Sequence, residues 1–497
     1  MQRALLALRP LSLAAAAAVL LAPGLWLGPG FDASVYVLAG IRIRDGYMPY
    51  TGLFDNKPPG LYLVNAFGQA MLPWLEPWHV SWLLTLAFTA GAILVVDRML
   101  RRLLSPPAAF LASLVCLVGM ASYPVAFGGG LTESFAILPV VLALWVVSTL
   151  RPGWRTSALV ACLGSLASLL SLQELPVAAI LVLSTFLTRQ PAEAARRVAA
   201  AIVAGAVAPF SVACWLIARG AMGDAVDQLV TYNVAYRDSS PGLGRLLPVT
   251  FVLLACLLTP VAITVARMVR HPRGFDRAAW LCLLWLLSAV AVLDYENRLF
   301  LHYLILAVPP MVILSAPSFG WLMSQVRSSE RASRAMGLGL VALTSCMFAV
   351  SAMTIVGLVG MTFDASAKAQ STTEATADWI KANTPASATI FNWGNDTYLY
   401  LLSDRAPYDS HVYQFPMVTA GYWSPALTES ELSAWIASPP AVIVESPANV
   451  PMFQPRPDPQ QPPDYDTLAP LRDFARDHYR LAATFGDHYV YTLIPRS

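Results

Sequence analysis

The chain has 497 residues, of which 12% are charged and 57% hydrophobic, with a mean hydropathy of +0.57. A soluble fold cannot hide that much apolar surface, and disordered or coiled-coil chains carry far more charge, so all three classes are excluded. The net charge of +2 conceals an asymmetry: from Asp364 onward 8 Lys/Arg face 15 Asp/Glu, against 24 and 15 in the part before it.

A bilayer crossing needs about 17–25 apolar residues. On that window eleven spans are predicted, near 5–27, 80–99, 106–122, 131–150, 156–171, 174–188, 198–218, 246–268, 277–293, 301–317 and 335–358. The first has Arg3 and Arg9 ahead of an Ala-rich run but no clear small-residue cleavage site, and reads as an uncleaved span. Lys and Arg collect in short cytoplasmic loops. Here they cluster at Arg98/Arg101/Arg102, Arg151/Arg155, Arg189/Arg196/Arg197, Arg267/Arg270/Arg273/Arg277 and Arg327/Arg331/Arg334, in alternate loops. The N-terminus is therefore expected in the cytoplasm and, after eleven crossings, the tail outside. The outer side then receives 28–79, 123–130, 219–245, 294–300 and 362–497. Two domains are expected: a membrane domain over 1–361, whose outer loop 28–79 carries juxtamembrane helices, and an extracytoplasmic α/β domain over 362–497.

In the tail a helical pattern from Thr372 to Asn383 stops at Thr384-Pro385. Strands are predicted at Ala388–Trp393 and Ala441–Glu445, and a strand pair from Tyr479 to Leu493 around Gly486-Asp487. The Pro-rich piece 451–463 reads as a loop, and no fixed-period repeat is present. All six cysteines fall in apolar runs without metal or disulfide spacing and read as buried small side chains. No basic stripe lies outside short loops, so nucleic acid is not an expected partner.

Four places can carry chemistry. Asp32 follows Gly28-Pro29-Gly30-Phe31 at the outer mouth of the first span. It reads either as a solvated acid at a helix end or as a partly desolvated general base accepting a proton from an attacking hydroxyl. The stretch Asp45 to Tyr62 contains Tyr50, Asp55 and Lys57-Pro58-Pro59-Gly60. Its prolines stiffen the backbone around one lysine, whose ammonium is suited to a phosphate at headgroup level or, alternatively, simply snorkels. Glu133, in Gly128-Gly129-Gly130-Leu131-Thr132-Glu133-Ser134, opens the fourth span, where capping competes with a functional role. Arg298 and His302, followed by Tyr303, are spaced as on one helical face and can grip a phosphate oxyanion, unless Arg298 pairs with Asp294 or Glu296. All four lie at span ends on the same expected face, which favours a group-transfer site over scattered structural charges.

In order and spacing these motifs resemble the GT-C superfamily of integral-membrane glycosyltransferases, in its branch of protein O-mannosyltransferases and lipid A aminoarabinose transferases. The resemblance rests on Asp32 after the first span, Gly46 to Tyr50 with Lys57 to Pro59, Thr132 to Ser134, and Arg298 with His302 and Tyr303. It extends to Phe391 to Gly394 and Leu402 to Arg405 in the tail. It implies a GT-C-type fold and an inverting transfer of a sugar from a polyprenyl-phosphate donor to a lipid, glycan or protein hydroxyl, in the bacterial inner or plasma membrane. Asp32 would be the base, with Glu133 as a second catalytic acid. Lys57, Arg298 and His302 would hold the donor phosphate, with Tyr50, Asp55 and Tyr303 lining the substrate site. The branch often has an acidic pair after the first span, whereas Ala33 follows Asp32. Its aminoarabinose enzymes place Glu before the lysine, where this chain has Asn56, so the second acid stays open. No cofactor is assigned; a divalent cation is compatible with a phosphate donor but not required, because Lys and Arg can neutralise one phosphate leaving group. Two other activities fit the same membrane body: a flippase or transporter of lipid-linked sugars, which calls for midplane charges and two related halves, and a lipid-diphosphate-dependent ligase or polymerase.

Overall fold

The computed structural model describes residues 2–239, 247–447, 450–453 and 465–495. Among them eight helices are long and apolar enough to cross a membrane: Leu8–Leu27, Pro77–Leu100, Thr132–Thr149, Pro191–Ala218, Val252–Arg270, Arg277–Glu296, Leu301–Val326 and Arg331–Asn383. Three shorter apolar helices, Pro106–Ala121, Trp154–Leu170 and Leu172–Ser184, complete the set. Each of the eleven predicted spans falls on one of these helices. Many of their apolar side chains point outward, as the bilayer rather than a protein core solvates them: only 6% of the apolar window in Arg331–Asn383 is buried. The protein is an α-helical polytopic membrane protein with a small C-terminal sheet.

The chain divides into two compact units, one made of 1–26, 81–212 and 241–363, the other of 27–80, 213–240 and 364–497. In the first, charges inside apolar helices are neutralised locally. Arg9 pairs with the buried carboxylate of Asp97, which also meets Arg101 Nε at 3.1 Å and accepts from Ser113 at 2.9 Å. A buried charge is tolerated only with such partners. The backbones of Gly24 and Gly128 touch: a Cβ added at either would lie 2.6 Å or less from the other's backbone. Gly128, Gly129 and Gly130 all have positive φ, and the Gly130 N–H donates to Thr85 Oγ1 at 2.9 Å. The three-glycine run before Glu133 is therefore a tight backbone contact in a conformation closed to other residues.

The second unit holds helices Phe31–Arg44 and Gly60–Met71, which pack against each other where Gly40 leaves room for Asn65 and Gln69. It also holds a five-stranded sheet: β1 (Thr389–Trp393), β2 (Ala406–Pro407), β3 (Val442–Glu445), β4 (Tyr479–Phe485) and β5 (His488–Leu493), in the order β2-β1-β3-β5-β4. β1 runs parallel to β2 and β3, placing Phe391 beside Ile443, and β5 is antiparallel to β3 and β4. Phe391, Trp393, Trp435, Ile443, Leu471 and Tyr491 form its core, closed by helices Pro425–Ala437 and Ala469–His478. The predicted strands at 388–393 and 441–445 and the 479–493 pair are all present. The helix predicted from Thr372 has no start of its own: Arg331–Asn383 is one helix of 53 residues, continuous from the last span to the expected stop. Most of the Pro-rich piece, 454–463, and residues 240–245 of the loop 219–245 lie outside the described residues.

Candidate active site

In the second unit the site is built around a buried carboxylate. Asp55 is 5% exposed, and its Oδ2 accepts from Tyr62 at 2.5 Å while its Oδ1 accepts from the Asn56 amide at 2.8 Å and from Tyr413 at 3.1 Å. Burial raises its pKa above 3.8, opposed by the Tyr62 bond and by the nearby positive charge of Lys57. Desolvation wins over four stabilising contacts, so the carboxyl holds its proton more tightly than a solvated one. The main chain around it is equally fixed. Both Tyr50 and Tyr62 donate to the Lys57 carbonyl at 3.0 Å. Tyr50, a buried aromatic with φ of +73°, gives its carbonyl to Gln228 Nε2 at 2.8 Å, and Gln228 Oε1 accepts the Asp55 N–H at 3.1 Å. A non-glycine residue in that conformation persists only where its surroundings over-determine it. Lys57 itself is half-buried and leaves this rigid frame beside Pro58 and Pro59.

The residues that complete the frame come from elsewhere in the chain. Gln228 lies on a π-helical turn, Asp227–Thr231, inside the segment 222–238. A π-turn shifts the side chains after it and recurs at functional sites. Next to it Asn233 and Asn56 bond reciprocally at 2.7 and 3.0 Å, and Tyr422 donates to Asp227 at 2.5 Å.

Asp32, half-buried, occupies the first turn of Phe31–Arg44, whose N-cap, Gly30, supplies no side-chain bond. Two residues on, Ser34 shares a short hydrogen bond with Thr397, which also donates to the Phe31 carbonyl at 3.3 Å. Thr397 belongs to the loop leaving the carboxyl end of β1, the end at which open parallel sheets present ligand sites. The Phe31 ring meets that of Tyr413 edge-on at 5.4 Å. One aromatic contact and one hydrogen bond thus join the Asp32 turn to Asp55.

In the first unit Glu133, 2% exposed, sits in the first turn of Thr132–Thr149, close enough to the buried Glu174 for their carboxylates to interact. Glu174 follows Gln173, whose Nε2 donates to both carboxylate oxygens of Glu296 at 2.9 and 2.8 Å. His302 and Tyr303 are buried in the short turn Leu301–Tyr303, which packs against Tyr123–Ala126. Arg298 and His302 do not share a helical face. Asn297, in the left-handed conformation at φ +52°, ends Arg277–Glu296, and Arg298 lies in the connection before Leu301. The spacing of four was counted through a helix terminus. Glu174 and Gln173 were not singled out from sequence, although an acid between two apolar runs is itself a signal.

A second cluster with ligand chemistry belongs to the tail. Asp409, His411 and Glu431 place one potential metal-ligating atom each within 4.8 Å of the others.

No protein-family profile and no curated protein matches the chain. Solved structures do. ArnT from Cupriavidus metallidurans bound to undecaprenyl phosphate is 15% identical and superposes with a TM-score of 0.63, over 97% of this chain and 98% of that one. The same protein in the apo state is 14% identical, with a TM-score of 0.59 and 94% of each chain covered. The chain therefore shares its fold with this ArnT over nearly its whole length.

Proposed function

We propose that this protein is an inverting glycosyltransferase that moves a sugar from a polyprenyl phosphate to a hydroxyl acceptor at the extracytoplasmic face, with the N-terminus in the cytoplasm. The observation that carries the reading is the frame of Tyr50, Asp55, Tyr62 and Gln228, which spends a strained backbone and a buried carboxyl on fixing one lysine. A fold shared from end to end with a protein that binds undecaprenyl phosphate supports a lipid-borne donor. Nucleotide sugars are cytoplasmic, so an outward-facing transferase needs such a donor. The inside-positive distribution of arginines supports the orientation.

On this reading the Asp32 carboxylate takes the proton of the acceptor hydroxyl as its oxygen attacks the anomeric carbon opposite the leaving group. The bond from that carbon to the phosphate oxygen breaks, and its electron pair stays on the phosphate. Charge builds there in an oxocarbenium-like transition state, and the Lys57 ammonium neutralises it. Arg298 and His302 carry the same assignment from their motif, and Glu133, with Glu174, is the acid left to assist. Tyr50 and Asp55 support Lys57, and Tyr303 lines the substrate site. A sugar on a lipid, glycan or protein acceptor is served equally by this chemistry. Asp32→Asn tests the reading: turnover of a polyprenyl-phosphate sugar should fall by about 10²–10⁴ with donor binding retained. Full activity in that variant removes the base.

A further inference from the structure

We propose that Asp409, His411 and Glu431 bind a divalent transition-metal ion, zinc by the character of its ligands, and that this ion locks the segment 408–424 that carries Tyr413 to Asp55. The three ligand atoms lie within 4.8 Å of one another. Tetrahedral zinc held by imidazole and carboxylates at about 2.0–2.2 Å keeps its ligand atoms about 3.3–3.6 Å apart, so rotations of these side chains that draw their ligand atoms together by up to about 1.5 Å close the site. One imidazole and two carboxylates, with a fourth position for water, form a borderline donor set that suits zinc better than magnesium or calcium.

The surroundings hold the ligands in place. Asp409 Oδ1 accepts the His411 amide at 2.8 Å, and Trp435 Nε1 donates to Glu431 Oε1 at 2.7 Å. Bonds of this kind aim a ligand and raise its basicity. Around His411 the environment is aromatic: the Trp423 ring stands edge-on at 5.1 Å and that of Phe54 lies tilted at 5.8 Å.

The placement gives the ion a purpose. His411 is two residues before Tyr413, and the same segment supplies Tyr422 to Asp227 and Thr419 to Tyr232, at 2.5 and 3.4 Å. Helix Pro425–Ala437, which bears Glu431, contributes Trp435 to the core of the sheet. The ion would tie a loop that ends on the Lys57 frame to the most rigid part of its unit. It is structural and takes no part in sugar transfer, so the metal-binding claim stands whether or not the glycosyltransferase reading holds.

The test uses the full-length, tag-free protein in detergent. Purified material should contain one equivalent of zinc per chain, and cobalt exchanged for it should give visible bands of a four- or five-coordinate site. His411→Ala and Glu431→Gln should each lose the metal and the cobalt bands, while Trp435→Phe keeps them with affinity weakened about 10–100-fold. Chelation should expose the 408–424 segment to limited proteolysis, and added zinc should protect it again. Absence of bound metal together with a failure of added zinc to protect the segment overturns the proposal. Metal retained in the His411→Ala/Glu431→Gln double variant overturns it as well.

Discussion

The Tyr413 hydroxyl donates to Asp55 Oδ1 at 3.1 Å, although the two residues stand 358 positions apart in the chain. With Tyr62 on the other oxygen, a buried carboxyl is held by two phenols, and the carbonyl of Lys57 is held by Tyr62 and Tyr50. Tyr413→Phe should leave the fold intact and raise the KM for donor more than it lowers kcat, because the phenol positions the lysine frame without touching the reacting atoms. Loss of one bond to a buried acid costs about 1–3 kcal/mol locally. Steady-state kinetics with varied donor separates the two parameters, and an equal loss in kcat with unchanged KM contradicts the positioning role.

Asp55 also predicts a dependence on pH. Burial raises its folded pKa above 3.8. The folded state thus binds the proton more tightly than the unfolded chain. The stability this contributes is full below pH 3.8 and is lost as pH rises through the folded value. Asp55→Asn keeps an uncharged side chain at every pH. Its unfolding temperature relative to wild type should therefore rise as pH increases from 3.8. A constant difference across that range contradicts the raised pKa.

Glu133 and Glu174 form a pair, and their variants should not be additive. Replacing either acid by Gln relieves the other of a like charge in a buried setting, so the double variant Glu133→Gln/Glu174→Gln should lose less activity than the product of the single losses. Residues in contact couple by about 0.5–3 kcal/mol. A cycle that closes within error places the two acids in independent roles.

Lys57→Ala should weaken donor affinity, and Lys57→Arg should recover only part of it. A planar guanidinium spreads its donors over a fork where lysine offers one compact ammonium, so it meets a single phosphate differently from the same rigid backbone position. Binding of a short-chain polyprenyl phosphate, followed by intrinsic fluorescence, reads this directly; unchanged affinity in the Ala variant removes the phosphate role.

The membrane helices were legible because the bilayer reduces folding to one variable: a run of apolar residues long enough to cross must be a helix, as Pro77–Leu100 and Pro191–Ala218 are. β1, β3 and the β4–β5 pair were legible from short β-branched and aromatic runs between prolines, glycines and polar turns. β2 was not, since Ala406–Pro407 is a two-residue edge strand containing a proline. Lys57 and Asp55 stood out from local sequence, but what fixes them did not. Gln228 reaches them from a π-turn and Tyr413 from the tail, and neither carries a pattern in its own neighbourhood. The helical face expected to be shared by Arg298 and His302 is absent for a related reason: the left-handed Asn297 ends one helix between the charges of Glu296 and Arg298, and periodicity does not show where a helix stops.

The claim on which the functional reading turns is that Lys57 grips the phosphate of a sugar-bearing polyprenyl lipid. Mass spectrometry of the lipids that copurify with the protein in mild detergent tests it most directly. A polyprenyl monophosphate carrying one sugar is expected with wild type and with Asp32→Asn, and should be depleted from Lys57→Ala. Recovery of a lipid diphosphate instead, or equal amounts of the monophosphate with Lys57→Ala, contradicts the assignment.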